Sequence, residues 1–197
     1  MLHKVNRDFG TSSVHLYKTI KKCIEIYRPQ SIIDYGCGKG LLKAVIEKDF
    51  NLTCYNYDPY VSAHSSMPPL NTYDLLINTD VLEHVPEADV DTILGQMANI
   101  SKIAFFNISC RKAGTILPNG ENAHCTIYPP RWWQHKLAQH FGNVCEIDTD
   151  DLTACTFIAT NSSKTLRIIK NHSSKNKVLR ACIKMLPYFI AKKILGR

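Results

Sequence analysis

The chain has no long apolar run. Nothing in its 197 residues approaches the roughly 18 consecutive apolar residues of a membrane span. The first 20 residues contain no apolar core of the kind that opens a secretory signal, so none is expected. Cys-x-x-Cys spacing is missing, although there are eight cysteines: Cys23, Cys37, Cys54, Cys110, Cys125, Cys145, Cys155 and Cys182. Most of them sit inside apolar runs, which predicts reduced core thiols in a cytoplasmic protein and argues against a disulfide framework. No internal repeat is present. Acidic residues are absent from 161–197, where ten Lys or Arg stand. The remaining fourteen basic residues face all seventeen acids in 1–160, so the body is net negative and the tail net positive. That asymmetry divides the chain into a domain at 1–160 and a basic tail at 161–197, and it predicts an anionic partner for the tail.

Within the body, apolar periodicity alternates between strand and helix. Val14, Tyr17, Ile20, Ile24 and Tyr27 recur at helical spacing over 13–28, with Ser12 or Ser13 as a cap and Pro29 beyond the end. "SIIDYG" reads as a buried strand. "GLLKAVIEKDF" reads as a helix with Leu41, Leu42, Val45, Ile46 and Phe50 on one face. Strands follow at 52–58, 73–81 and 102–109, with a helix over 86–100. Residues 59–71 and 110–128 read as loops. A helix over 129–141 enters through Pro129 and Pro130, and "NVCEIDT" with "TACTFIAT" reads as a closing antiparallel pair. This order predicts a doubly wound, mostly parallel, Rossmann-like α/β sheet with an antiparallel closing strand. The loops after its strands gather at one edge, where such sheets bind ligands.

The segment Asp34-Tyr35-Gly36-Cys37-Gly38-Lys39-Gly40 stands at that edge. Three glycines at alternate positions imply a sharp turn or a close approach to a ligand. The rhythm is Gly-x-Gly-x-Gly, not the Gly-x-Gly-x-x-Gly of dinucleotide enzymes, and it opens on an acid that would repel a pyrophosphate. Asp58 ends the next strand, 24 residues after Asp34, where a carboxylate can accept from both hydroxyls of a ribose. An acidic opening suits a cationic nucleoside ligand.

Together with "LLINTDVLEHVP" at the following strand, these motifs resemble the class I S-adenosylmethionine-dependent methyltransferases, over about residues 30–160. The "NAH…PPRWW" segment resembles stand-alone bacterial enzymes of this family that act on small molecules or glycans. The resemblance implies S-adenosylmethionine as cofactor, held by Asp34, Tyr35, Gly36, Cys37, Gly38, Gly40, Asp58, Pro59, Met67, Thr79, Asp80 and Val81. The chain departs from the family between Asp58 and Tyr73, which is too short for the usual helix and third strand.

If "DVLEH" is helical, Asp80, Glu83 and His84 share a face at i, i+3 and i+4. The resemblance places His124, from the loop after the fifth strand of the family's sheet, beside them over the reactive methyl. Some relatives, the ubiquinone-biosynthesis and small-RNA 2′-O-methyltransferases, hold a metal with a similar set. Asp80, Glu83, His84 and His124 are therefore candidate ligands for Mg²⁺ or Mn²⁺. Glu83, His84 and His124 are alternatively the catalytic acid, base or positioning groups. Acids and imidazoles, without an Asn-Pro-Pro-Tyr amide motif, favour a hydroxyl acceptor on a sugar, glycan intermediate, lipid-linked or other small molecule. One of Trp132 and Trp133 is expected in the core and one at the acceptor pocket. Two other readings stand: an RNA methyltransferase whose basic tail holds phosphates, and a non-catalytic cofactor-binding partner subunit. In the tail, Val178, Cys182, Met185, Phe189 and Ile190 share a helical side among basic residues, with a break at Pro187. That pattern suits peripheral contact with an anionic inner membrane surface; nucleic acid is the weaker candidate.

Overall fold

The computed structural model of the chain describes residues 12–66, 73–147, 149 and 153–161. Met67 and the tail from 162 onward lie outside the described residues, and so do the expectations placed on them. Two short helices, α1 (Ser12–His15) and α2 (Tyr17–Tyr27), lead into β1 (Ser31–Tyr35). There follow α3 (Leu41–Asp49), β2 (Thr53–Tyr57), β3 (Leu75–Thr79), α4 (Glu87–Ile100), β4 (Ile103–Ser109), α5 (Pro130–His140), β5 (Asn143–Ile147) and β6 (Ala154–Thr160). The single helix expected over 13–28 is thus two, broken at Leu16, whose side chain turns into the core. The second ends where Arg28 takes a left-handed φ of 48°, just before Pro29.

The strands form one six-stranded sheet in the order β2-β1-β3-β4-β6-β5. The first four strands pair parallel; β6 runs antiparallel to both β4 and β5, which is the expected closing pair. Strands covered on both faces are mostly apolar, and Leu75–Thr79 and Ala154–Thr160 are buried throughout, with the buried polar Asn78 and Thr156 hydrogen-bonded. Alternate side chains then divide between two cores. Ile32, Leu75, Ile77 and Phe105 meet α2 and α3 through Ile20, Ile24, Leu42 and Ile46. Ile33, Leu76, Phe106 and Phe157 meet α4 and α5 through Leu94, Met97, Trp133 and Leu137. Leu41, expected on the buried face of α3, is 43% exposed, because the helix starts with Gly40 and turns its first residue outward.

Trp133 fills the second core and is fully buried. Trp132 stacks on Tyr128 at 4.1 Å and lies beneath the Lys136 ammonium, so it does not wall the ligand cleft. Among the described residues no strand intervenes between β2 and β3, so β2 is an outer strand of the sheet. The chain leaves β1 toward β2 on one side and reaches β3 on the other. The carboxyl ends of β1 and β3 therefore form the switch point at which open α/β sheets bind ligands.

Candidate functional site

A cleft of about 910 Å³ opens at that switch point. Its floor is the turn after β1. Asn78 of β3 donates through Nδ2 to the carbonyl of Tyr35 (2.8 Å) and steadies the end of the strand. The amides of Gly36 and Cys37 then donate to the Tyr57 carbonyl at 2.7 and 3.1 Å, curling the chain toward β2. Gly36 has a φ of +82°, and a Cβ there would run into the Val81 side chain. Only glycine meets both conditions. Gly38, at φ +52°, donates its N–H to Asp58 Oδ2 (2.9 Å), while the Tyr60 amide donates to Oδ1 (2.9 Å). The carboxylate of Asp58 is thereby locked at the cleft wall.

Asp34 lies beneath the turn, 1% exposed, and its Oδ2 meets no partner among the described residues. Burial pushes its pKa up to about 7, with the charge of Asp58 adding to the effect. A buried acid in this state gains strongly from an incoming cation.

The cleft crosses the sheet from strand to strand. It begins at Tyr57, Asp58, Pro59 and Tyr60 beyond β2, and passes Tyr35, Gly36, Cys37 and Gly38 beyond β1. It continues past Thr79, Asp80 and Val81 beyond β3, and ends at Ser109, Lys112, His84 and His124. With strands about 4.8 Å apart, β2 to β4 spans roughly 14 Å, the reach of an extended nucleoside with its substituent. Asp34 and Gly40 support the turn without lining the cleft. Tyr60, at 82% exposure, and Ser13 and His15 of α1 line it although no motif marks them. Their part follows from how distant segments meet, which local spacing does not encode.

The far end holds a cluster of titratable groups. Asp80 takes a left-handed φ of 53° and the next turn, Leu82–His84, is a 3₁₀ helix. The α-helical face expected of Asp80, Glu83 and His84 therefore does not form. Instead Glu83, His84 and His124 converge, with donor atoms all within 4.8 Å of one another, and Asp80 stands outside this group. Glu83 is fully buried. Its Oε1 accepts from the Ser109 amide (3.0 Å), and its Oε2 has no partner among the described residues. His84 Nδ1 lies 2.7 Å from the Ala123 carbonyl, and His124 Nδ1 lies 2.6 Å from that of Arg111. A carbonyl only accepts, so both Nδ1 atoms carry the proton and each neutral ring keeps a lone pair on Nε2. The rings meet edge to face at 4.7 Å.

Burial holds Glu83 well above the carboxylate range, reinforced by the charge of Asp80. Burial lowers both histidines, His124 to about 4, where the neighbouring His84 adds to the effect. An acid raised and two bases lowered at one point describe a desolvated pocket that disfavours charge of either sign.

The family profile described as "Methyltransferase domain" matches residues 14–152. Comparison with curated protein sequences found no match. Among solved structures, an O-methyltransferase family protein from Burkholderia thailandensis superposes with a TM-score of 0.55 at 15% identity, over 79% of this chain and 59% of its own. The methyltransferase domain of bacterial CtHen1 gives 0.57 at 15% identity, over 74% and 96%. The Burkholderia thailandensis 1,6-didemethyltoxoflavin-N1-methyltransferase, solved with S-adenosylhomocysteine, gives 0.55 at 11% identity, over 82% and 81%. The chain thus spans less than two thirds of the first of these proteins and most of the other two.

Proposed function

Because the chain belongs to the methyltransferase domain family, as a class I enzyme that uses S-adenosylmethionine, we propose that it methylates a hydroxyl group of a small molecule such as a sugar, a glycan intermediate or a lipid-linked compound. The observation that carries this reading is the convergence of Glu83, His84 and His124 at the end of the cleft opposite Asp58. On this reading Asp58 accepts from the ribose hydroxyls, the Gly36–Gly38 turn lies against the nucleoside, and Asp34 draws the ammonium group. The sulfonium methyl then faces the cluster. Transfer is an in-line displacement with a good leaving group, so alignment supplies much of the rate. A hydroxyl acceptor also has to lose a proton, which an amine acceptor can shed afterwards.

The three residues fit a divalent cation such as Mg²⁺ or Mn²⁺. One carboxylate and two imidazoles with free Nε2 atoms converge, each imidazole braced through Nδ1 by a carbonyl. Bound there, the cation would lower the acceptor hydroxyl's pKa. His124 titrates near 4, too low for an efficient general base at neutral pH. Ser109, Lys112 and Thr115 give the acceptor end a polar lining.

The test follows Mn²⁺ and S-adenosylhomocysteine binding by calorimetry in the wild type and in His124→Ala, alongside transfer of labelled methyl to a panel of hydroxyl acceptors. Loss of Mn²⁺ binding and of transfer in the variant, with cofactor affinity kept within about twofold, supports the reading. Full transfer in excess chelator removes the cation and leaves His84 or His124 as base. Transfer to amines alone overturns the hydroxyl assignment.

A further inference from the structure

The exit of β4 carries a feature that the methyl-transfer reading does not use. Cys155 pairs in register with Ile108, and Cys110 stands two residues beyond Ile108, on the same face of the sheet. Their sulfurs are 3.4 Å apart. Cys155 is fully buried, with its thiol directed at the Ile108 carbonyl (3.5 Å), while Cys110 is partly exposed just past the last residue of β4. None of the seven cysteines of the described residues is in a disulfide.

We propose that Cys110 and Cys155 form a site of reversible oxidation that switches the reacting end of the cleft. The step needs a peroxide. Hydrogen peroxide oxidises the Cys110 thiol to a sulfenic acid and releases one water. The Cys155 sulfur then attacks Cys110 Sγ, the S–O bond breaks, and a second water leaves as the S–S bond forms. Two thiols lose two electrons and two protons, and the peroxide gains both. The partly exposed residue is the one a peroxide reaches, and the buried one resolves it.

Closing the bridge moves the backbone. The sulfurs must come from 3.4 Å to about 2.05 Å. Diagonal neighbours across a sheet have Cα atoms about 7–8 Å apart, wider than the roughly 4.4–6.8 Å of a relaxed disulfide. Cys155 is fully buried and paired with β4 inside β6, whereas Cys110 lies just past the end of β4, so Cys110 has to yield. Its neighbours are the residues that brace the cluster. The Ser109 amide donates to Glu83 Oε1, and the Arg111 carbonyl accepts from His124 Nδ1. Drawing Cys110 toward β6 therefore disturbs a partner of Glu83 and a partner of His124 together. The consequence for activity rests on the reading of this cluster as the reacting end; the formation of the bridge does not.

The full-length reduced protein is treated with graded hydrogen peroxide, capped with N-ethylmaleimide and mapped by tandem mass spectrometry. In parallel, imidazole ¹⁵N resonances of His84 and His124 are recorded, and Mn²⁺ and S-adenosylhomocysteine affinities are measured. The expected result is that the first bridge joins Cys110 to Cys155, that both ring resonances shift, and that dithiothreitol reverses the change. Mn²⁺ affinity should fall about ten- to a hundredfold, the usual cost of losing a partner of a ligating imidazole. Cys155→Ala should show neither bridge nor shift at the same peroxide dose and should keep wild-type cofactor affinity. A first bridge elsewhere, or oxidation of Cys110 to sulfinic acid without bridging, overturns the proposal, as does a bridge that leaves both ring resonances unmoved. If the reduced protein binds cofactor but no Mn²⁺, the cation reading fails by itself, and the ring resonances alone decide the switch.

Discussion

On the proposed reading, Asp34 and Asp58 divide the work of one binding site by their surroundings. Asp58 is locked by two backbone amides at the cleft wall, whereas Asp34 is buried with an oxygen that meets no described partner. Removing the carboxylate of Asp58 deletes a charged acceptor, at a cost of roughly 1.5–3 kcal/mol. Asp58→Ala should weaken S-adenosylhomocysteine binding about ten- to a hundredfold by calorimetry, and unchanged affinity in a folded variant would remove the assignment. Asp34 gives a pH signature. Its folded pKa is about 7 against an ordinary 3.8, so between these values the folded state holds a proton that the unfolded chain has lost. Its contribution to stability therefore declines as pH rises from about 4 to 7 and is level above that. The ligand's ammonium favours the ionised form, so affinity should rise about tenfold between about pH 6 and pH 8. Asp34→Asn should flatten that rise, and Asp58→Ala should move it to lower pH by removing the neighbouring charge. A wild-type affinity independent of pH would contradict this account of Asp34. The places of both aspartates at strand ends were legible in the sequence because those signals are local. The bracing of Asp58 by the Gly38 amide was not, since it depends on β1 and β2 lying side by side.

Short turns, more than the regular helices and strands, decide where the reacting groups lie. Strand and helix identity could be read from periodicity through the described residues, because buried strands and two-sided packing impose it. The segment "DVLEH" misleads at this level. Its spacing suits a helix, but Asp80 takes a left-handed conformation and a 3₁₀ turn follows, so Glu83 rotates inward and Asp80 drops out of the cluster. No propensity distinguishes that outcome in advance; the contact of Glu83 with the Ser109 amide at the end of β4 decides it. The long loop after β4 is fastened to this turn in the same way. Cys125 and Thr126 amides donate to the Glu83 carbonyl at 2.9 and 3.0 Å, and Thr126 Oγ1 donates to the Val85 carbonyl at 2.6 Å. Thr126 is 2% exposed, so Thr126→Val should leave that carbonyl unpaired at a cost of about 1–3 kcal/mol. Hydrogen exchange should then accelerate across 110–128 while cofactor affinity stays at the wild-type level. Exchange unchanged in that loop would show that the staple does not hold it.

The architecture as a whole could be anticipated because alternating strand and helix signals leave few right-handed ways to build a sheet. The departure from the family between Asp58 and Tyr73 also showed in the sequence, as a stretch too short for a helix and strand, and β2 is accordingly an outer strand of the described sheet. What could not be read was the course of the cleft itself. It joins α1, the exits of four strands and a loop 40 residues beyond Glu83, and that union exists only in the folded molecule. On the proposed reading one ligand lies along this whole course, with its nucleoside at Asp58 and its methyl at His84 and His124. The most direct measurement uses S-adenosylmethionine labelled with ¹³C at the transferable methyl, bound to the metal-free protein, and records nuclear Overhauser effects from that methyl. Cross-peaks to the ring protons of His84 and His124 are expected, retained in Cys155→Ala and weakened toward the imidazole position in His124→Ala. A bound methyl whose contacts lie elsewhere, with none to either ring, would contradict it.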